Sequence, residues 1–308
     1  MRVAAVDLGT NSTRLLVADV VDGRIQELHR ETRITRLGER VDTRRLLLPA
    51  PIARVRNVLV DYRRTAEAHG AERVLLVATS AVRDAENGEA FLGEIEWSYG
   101  FATRLLSGDE EAELMRRGVA SDRPLDDETL LVDIGGGSTE LVLGDFHSSL
   151  DVGSVRLTER HLDSDPPTQT ELAAAAHDVH ALLPELTPRA AVGVAGTITT
   201  LAALDLDLDH YDRDRVHGHK LTAPAVARLN ERLARLTLEQ RRALSAMDPG
   251  RAPVIVGGAI VLNEIVRRYG LDEVEVSERD ILDGAALLAA ELPEREEGAA
   301  PPGAYTCC

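Results

Sequence analysis

The chain has 308 residues, with 35 basic and 52 acidic side chains and a formal net charge of −17 at pH 7. Nucleic acids usually bind to a basic surface, so this acidity argues against them as general partners. No apolar run reaches the roughly 20 residues that cross a bilayer, and no signal-peptide pattern is present, so we expect a cytoplasmic protein that does not enter a membrane. At about 150 residues per domain, the length predicts two domains.

The first half of the chain alternates strand and helix patterns. Apolar runs at 3–6 and 15–17 enclose a glycine-containing turn, which indicates two strands joined by a tight turn. The patterns that follow are a helix over 49–70, a buried strand over 73–79 that turns out at 80–84, a helix over 88–99, a strand over 104–106 and a helix over 109–119. Residues 121–128 are polar, acidic and contain proline, which favours a linker.

The second half repeats the alternation and predicts an α/β fold. The expected elements are strands around 130–132 and 141–143, strand–glycine–helix units over 191–204 and 253–269, and helices over 168–183, 223–236 and 280–291. We therefore predict domains at 1–122 and 123–292 and a frayed tail at 293–308. That tail holds the only two cysteines, Cys307 and Cys308, which excludes a disulfide framework and a thiolate zinc site.

One signature occurs twice. Residues 7–20 read DLGTNSTRLLVADV and residues 133–146 read DIGGGSTELVLGDF, so both copies share the frame Asp-x-Gly-x-x-Ser-Thr. The copies lie 126 residues apart, about one domain length. This spacing indicates a duplicated domain, and we expect the two halves to face one another.

The glycine turns predict phosphate binding. Small residues let successive backbone N–H groups point into one concavity, which suits an anion, and Gly9–Ser12 and Gly135–Ser138 fit this pattern. Gly196-Thr197 ends a strand and opens a helix, and Gly257-Gly258 repeats that arrangement, so helix N-termini would add further amides. The alternative for any one of these turns is a plain hairpin or a close crossing of two elements.

Asp7 and Asp133 each end an apolar strand immediately before a glycine turn. A carboxylate beside bound phosphate needs a cation between them, and Mg²⁺ commonly takes one or two carboxylates and several waters. Glu140 starts the returning strand and is a third candidate ligand. The alternative is that each aspartate caps its own turn through side-chain hydrogen bonds.

The helix predicted at 109–119 opens with Asp109, Glu110 and Glu111 after Ser107. Ser107 with Glu110 matches a capping box, and acidic residues in a first turn complement the helix dipole. A general base requires instead that one of these acids turns inward, and the sequence supports both readings equally.

Arg83 and the pair His217 and His219 each have two possible roles. Arg83 leaves the buried strand and can clamp a phosphate or pair with Asp84 or Glu86. His217 and His219 have the spacing of a metal pair, but the sequence offers no third ligand, so we favour a loop contact to an anion over zinc.

Six segments carry a family resemblance. They are AAVDLGTNSTRLLVADV, VATSAVRDAENG, LSGDEEAEL, LVDIGGGSTELVLG, VAGTITTLAAL and SERDILDGAAL. Together they resemble the exopolyphosphatase/guanosine pentaphosphate phosphohydrolase family, within the actin, Hsp70 and sugar-kinase superfamily. The segments occur in family order from residue 4 to about 290, and the chain resembles the short, two-domain form.

The resemblance implies two actin-like, ribonuclease H-like domains with a cleft between them, Mg²⁺-dependent release of terminal orthophosphate, and a homodimer. Glu111 matches the catalytic glutamate that activates water, and Asp7, Asp133 and Glu140 match the metal-linked acids. The phosphate-binding positions that it implies are Asn11, Ser12, Arg83, Gly136, Gly137, Ser138, Gly196 and Thr197.

The substrate and two other functions stay open. Inorganic polyphosphate and guanosine pentaphosphate end in the same phosphoanhydride, and the additional C-terminal domains of longer members are missing, which puts a preference for long polymers in doubt. One alternative is an ATP-dependent kinase of the same superfold, with Gly257-Gly258 at an adenosine pocket. The other is a module that binds phosphates or nucleotides without turnover.

Overall fold

The computed structural model describes residues 1–293, and the tail predicted to fray therefore lies almost wholly outside the described residues. The chain forms two compact units. Unit 1 contains Met1–Pro124 together with the chain from Arg279 onward, and unit 2 is Leu125–Glu278. Among residues 1–293, no helix has both the length and the apolar character needed to cross a membrane.

Unit 1 is a five-stranded sheet with helices on both faces. Its elements are β1 Arg2–Leu8, β2 Ser12–Val21, β3 Arg24–Ile34, α1 Val41–Arg44, α2 Pro49–Ala68, β4 Arg73–Ala78, α3 Ser80–Arg83, α4 Gly88–Tyr99, β5 Ala102–Leu105, α5 Gly108–Ala120 and, from the end of the chain, α13 Ile281–Glu291.

Unit 2 is a six-stranded sheet with its own helices. Its elements are β6 Thr129–Ile134, β7 Thr139–Leu143, β8 Phe146–Leu150, α6 Ser154–His161, α7 Gln169–Leu182, β9 Ala190–Val194, α8 Ala195–Asp205, α9 Arg213–Val216, β10 Lys220–Thr222, α10 Ala223–Arg235, α11 Leu238–Arg242, α12 Ile255–Tyr269 and β11 Glu273–Val276.

The two sheets share one topology. The strand order is β3-β2-β1-β4-β5 in unit 1 and β8-β7-β6-β9-β11 in unit 2, where β10 extends the edge. In each unit the first strand pairs antiparallel with the second and parallel with the fourth. This is the actin-like, ribonuclease H-like arrangement, and it confirms the predicted α/β class and the duplication.

The apolar first strand of unit 1, β1, is buried on both of its faces. Successive side chains of a strand point to opposite faces. Ala4 and Val6 join the core formed with α2 and α4, whereas Val3 and Ala5 join a second core with α13. The helix that closes this second face therefore comes from the far end of the sequence.

The predicted second domain, 123–292, is wrong at its C-terminal end. The boundary between Pro124 and Leu125 falls inside the predicted linker, but α13 belongs to unit 1. Leu282, Ala285 and Ala289 of α13 are fully buried against β1, β2 and β4. The physical reason is that the open face of the first sheet needs an apolar cover, which local sequence patterns cannot assign.

A second element also differs from prediction. The pattern at 253–269 predicts a strand, a glycine turn and a helix, but residues 251–254 form turns and α12 then runs from Ile255 to Tyr269. The apolar run of this segment is explained by burial, because every residue of α12 from Ile255 to Val266 is buried. Short apolar runs do not distinguish a buried strand from a buried helix.

Two glycines let α5 and α13 pack in close contact. A Cβ on Gly118 would lie 1.8 Å from the backbone oxygen of Asp280, and one on Gly284 would lie 2.0 Å from that of Leu114. A real Cβ cannot approach a carbonyl so closely, so any larger residue at either position forces the helices apart.

Gly284→Ala is expected to destabilise the protein by about 1–3 kcal/mol, the usual effect of overpacking a core. Gly93→Ala is the matched control, because Gly93 is also helical and a Cβ there would meet nothing within 4 Å. Its stability should change by no more than about 1 kcal/mol, in the stabilising direction. Urea unfolding of both variants measures the difference, and equal stabilities would contradict the packing argument.

Candidate active site

The first glycine turn joins β1 to β2 and is closed by one hydrogen bond. The N–H of Gly9 donates to the carbonyl of Ser12 at 3.0 Å. The carbonyls of Thr10 and Asn11 accept hydrogen bonds of 2.8–3.1 Å from backbone N–H groups of the loop 35–38. The outer side of this turn is thereby fixed to the scaffold of unit 1.

The second turn, between β6 and β7, has the same closure. The N–H of Gly135 donates to the carbonyl of Ser138 at 3.1 Å. Here the carbonyls of Gly135 and Gly136 accept from the first backbone N–H groups of α6, from Ser154 at 2.9 Å and Val155 at 2.8 Å. The N-terminus of α6 therefore holds this turn, as the loop 35–38 holds the first.

These contacts determine where the amides point. In a trans peptide the C=O and the next N–H point in opposite directions. Because the carbonyls bind the scaffold, the N–H groups of Asn11 and Ser12, and of Gly136 and Gly137, point away from it. A Cβ on Gly9 or on Gly135 would lie 3.1 Å from the carbonyl oxygen of the following serine in each turn, so the two turns have the same shape. Both are suited to bind an anion.

Asp7 lies at the end of β1 and faces an arginine. It is 5% exposed, its Oδ2 accepts a hydrogen bond from Nε of Arg14 at 2.8 Å, and the same oxygen lies 2.7 Å from Nη2 in an ion pair. Burial raises the pKa of Asp7, and the charge and hydrogen bonds of Arg14 oppose that rise. Within the described residues, Oδ1 of Asp7 and Oδ1 of Asn11 are buried and have no hydrogen-bond partner. Both oxygens suit a cation, a water or a donor from a ligand.

The same place in unit 2 carries a second acid instead. Asp133 and Glu140 are cross-strand partners on β6 and β7, so both side chains lie on one face, and both are buried. Ser149 donates to Oε1 of Glu140 at 2.8 Å. Directly opposed like charges are destabilising in a sheet, and a divalent cation removes the repulsion. No group of three or more potential metal ligands occurs among residues 1–293.

The capping box predicted at the start of this helix is confirmed, and a different acid of the same turn points inward. Ser107 and Glu110 form the capping box, with the N–H of Ser107 donating to Glu110 at 2.8 Å and the N–H of Glu110 donating to Ser107 at 3.2 Å. Glu111 is only 4% exposed. It accepts a hydrogen bond from Nη1 of Arg83, which also donates to the carbonyl of Leu106 at 2.8 Å. Unit 1 thus contains a buried glutamate paired with an arginine.

An arginine that sequence reasoning missed lies at the start of α8. Nη1 of Arg251 is 1.6 Å from the point that a Cβ on Gly196 would occupy, so the guanidinium rests directly on this glycine. Thr197 follows and is buried. A helix N-terminus and an arginine together can bind phosphate. Nothing in the sequence relates residue 251 to residue 196, so only the fold identifies this pair.

The prediction that Gly257-Gly258 forms a phosphate turn is wrong. Both glycines lie inside α12. A Cβ on Gly257 would lie 2.6 Å from Oγ1 of Thr158, and one on Gly258 would lie 2.5 Å from Cγ2 of Thr197. The close-packing alternative is therefore correct, and the two glycines allow α12 to support α6 and α8, the helices that hold the second turn and Gly196.

The two histidines have structural partners. Nε2 of His219 lies 3.0 Å from Oδ2 of Asp205, and Nδ1 of His217 accepts the N–H of Glu278 at 3.2 Å. These contacts stabilise the segment around β10, and neither histidine belongs to a metal-binding group within the described part of the chain.

Comparison with known proteins identifies the family. Residues 16–288 match the Ppx/GppA phosphatase family. Exopolyphosphatase 2 of Mycobacterium tuberculosis is 44% identical over 314 residues, which cover 94% of this chain and 98% of that protein. A guanosine-5'-triphosphate,3'-diphosphate pyrophosphatase of Vibrio atlanticus is 28% identical over 92% of this chain and 58% of its own length. The crystallised Aquifex aeolicus PPX-GPPA enzyme has a TM-score of 0.79 at 31% identity, covering 94% of this chain and 99% of that one.

The strand order and the two turns define a duplicated actin-like protein with an Asp-x-Gly turn of the same geometry in each unit. The chain belongs to the Ppx/GppA phosphatase family. The family resemblance drawn from its sequence motifs is thereby confirmed.

Gly196→Ala is expected to leave the fold intact and to weaken tripolyphosphate binding about 10- to 100-fold. The added methyl group displaces the flexible guanidinium of Arg251, and hydrogen bonds to charged groups contribute about 1.5–3 kcal/mol. Isothermal titration calorimetry measures the change. Arg251→Ala should show the same loss and the double variant no further loss, because all three remove one contact. Additive losses would show that the two residues act separately.

Proposed function

We propose that this protein is an exopolyphosphatase-type hydrolase, which releases terminal orthophosphate from inorganic polyphosphate, guanosine pentaphosphate or both. The observation that carries the proposal is the buried Glu111 held by Arg83 at the start of α5. Family membership and the names of the relatives, an exopolyphosphatase and a guanosine-5'-triphosphate,3'-diphosphate pyrophosphatase, support the same reaction class. A cytoplasmic location and a homodimer stay predictions.

In this proposal Glu111 accepts a proton from the attacking water. The adjacent Arg83 favours the charged form of a carboxylate, which is the form that a general base needs. The guanidinium also has five N–H donors, so it can contact a substrate phosphate oxygen while it orients Glu111. The neighbouring Glu110 is committed to the capping box and has no part in the reaction.

The turns and the start of α8 supply the phosphate contacts. In unit 1 these are the N–H groups and side chains of Asn11 and Ser12, and in unit 2 those of Gly136, Gly137 and Ser138. Gly196 and Thr197 add the N-terminus of α8, with Arg251 beside them. Fixed amides of this kind stabilise charge without reorganisation, since the scaffold already holds them in place.

Mg²⁺ is the proposed cofactor. The residues that fit it best are Asp133 and Glu140, because two buried carboxylates stand opposite each other on one sheet face. When bound, the metal neutralises phosphate oxygens and stabilises the leaving group. Asp7 differs, because one of its oxygens is bonded to Arg14, and only Oδ1 can turn to a cation or to a water of its shell.

The kinase alternative depended on an adenosine pocket, and the residues expected to form that pocket are used for helix packing. Its proposed adenosine pocket at Gly257-Gly258 is occupied by the packing of α12 on Thr158 and Thr197. If the protein is instead a module that binds phosphates without turnover, it should bind phosphate and release no orthophosphate. A phosphate-release assay with Mg²⁺ on short polyphosphate, long polyphosphate and guanosine pentaphosphate separates the three functions and ranks the substrates.

Glu111→Gln is expected to lower kcat for orthophosphate release by about 10²–10⁴-fold, the contribution of a positioned general base, with KM little changed. Glu110→Gln is the matched control one residue away, since glutamine also completes a capping box. The control should keep the parent rate. A wild-type rate in Glu111→Gln would show that another group is the base.

Glu140→Gln is expected to abolish stabilisation by Mg²⁺. If the ion binds with a Kd of about 1 mM, 10 mM Mg²⁺ stabilises the protein by about 1.4 kcal/mol, which raises Tm by about 3–6 °C. The shift is measured for each variant against its own Tm without metal. Asp145→Asn, an exposed acid of the same hairpin, should keep the shift. A retained shift in Glu140→Gln, measured by calorimetry, would contradict the assignment.

A further inference from the structure

Arg14 links the candidate site to the residue that caps α13. It stands opposite Asp7 in the β1–β2 ladder, and two of its nitrogens bond Oδ2 of Asp7 at 2.7–2.8 Å. Its third nitrogen, Nη1, bonds Oδ2 of Asp280. All three side chains are largely buried. The guanidinium is therefore fixed at three points, which determines its plane and the position of Oδ2 of Asp7.

Asp280 is itself held rigidly. It is the N-cap of α13, where its Oδ1 accepts the N–H of Leu282 at 2.9 Å and its own N–H donates to Asp283 at 3.2 Å. Asp283 is fully buried and bonds Arg30 and Arg279, each at 2.8 Å. Burial alone would raise the pKa of Asp280, but the charges of Arg14 and Arg30 outweigh it and hold that pKa below its usual value.

The backbone of Asp280 touches the helix that carries Glu111. Its carbonyl oxygen lies where a Cβ on Gly118 of α5 would come within 1.8 Å. One residue thus contacts both functional parts of unit 1, with its main chain against α5 and its carboxylate, through Arg14, against Asp7.

We infer that Asp280 is a positioning residue of the active site, which acts through Arg14 to set the orientation of Asp7. With Oδ2 of Asp7 fixed by Arg14, its other oxygen is directed to the buried place where no described residue bonds it. The inference rests on the proposed function, because Asp7 must serve the hydrolytic site. Arg14 is suited to this positioning role, since a guanidinium can bond two carboxylates in a fixed geometry that lysine cannot reproduce.

Asp280→Asn tests the inference, because asparagine keeps the size and the N-cap acceptor and removes the charge. We expect kcat to fall about 10- to 100-fold, the range set by one hydrogen bond to a charged group. KM should stay within about twofold of wild type. Arg14→Lys should lower kcat by a similar factor. The kcat of the double variant should be no lower than that of the less active single variant, because both substitutions break the same Arg14–Asp280 contact.

Asp165→Asn is the matched control in unit 2. Asp165 likewise bonds a buried arginine, Arg241 at 2.9 Å, and the first N–H of a helix, that of Leu238 at 2.8 Å. This variant should keep kcat. If Asp280 were only a helix cap, Asp280→Asn would also keep kcat, and that result would overturn the inference.

A crystal structure of Asp280→Asn gives a readout that does not depend on turnover. The inference predicts that Arg14 and the Asp7 carboxylate move from their wild-type positions while α13 stays in place. An unchanged Asp7–Arg14 pair would overturn it even if the wild-type protein released no phosphate. If the wild-type protein releases no phosphate but Asp7 and Arg14 move in the variant, the proposed hydrolase function is contradicted and the positioning role is not.

Discussion

A buried carboxylate next to a glycine turn requires a compensating positive charge, and the residue that faces this carboxylate across the strand pair differs between the two units. Removing an ionised group from water is costly unless a partner of opposite charge accompanies it. In unit 1 the residue opposite Asp7 is Arg14, so the chain supplies the charge itself. In unit 2 the residue opposite Asp133 is Glu140, which doubles the negative charge. The duplicated backbone thus places different pairs of charges at the same point, and Asp133 with Glu140 is the pair proposed above to hold Mg²⁺.

Glycines outside the turns determine how the site is supported. Gly118 and Gly284 bring α5 and α13 into backbone contact, and Gly257 and Gly258 do the same for α12 against α6 and α8. In both units a helix is thereby held against the elements that present functional groups. Packing of this closeness leaves little freedom for the helices to slide, because interiors are dense and a shift opens voids elsewhere. In unit 2 the crossings of α12 with α6 and α8 thereby support the second glycine turn and Gly196.

Local signals in the sequence were sufficient for most elements and for the turns. The helices at 88–99 and 223–235 follow from apolar spacing and end signals, and the two Asp-x-Gly turns follow from their repeated frame. Contacts between distant positions were beyond such reasoning. The assignment of α13 to unit 1, the Arg14–Asp280 bond and the approach of Arg251 to Gly196 each join residues that only the fold brings together. The turn predicted at Gly257-Gly258 is wrong for a related reason, because a glycine pair inside a helix cannot be distinguished in sequence from one in a turn.

At the start of α5 a structural role and a proposed catalytic role fall on neighbouring residues. The capping box between Ser107 and Glu110 fixes the first turn of the helix, and therefore the direction of every side chain that follows. Adjacent residues of a helix lie about 100° apart around its axis. With Glu110 committed to the N-cap, Glu111 turns inward and meets Arg83. The cap thus fixes the direction of the carboxylate that is proposed as the base, so the two neighbouring acids have different structural surroundings.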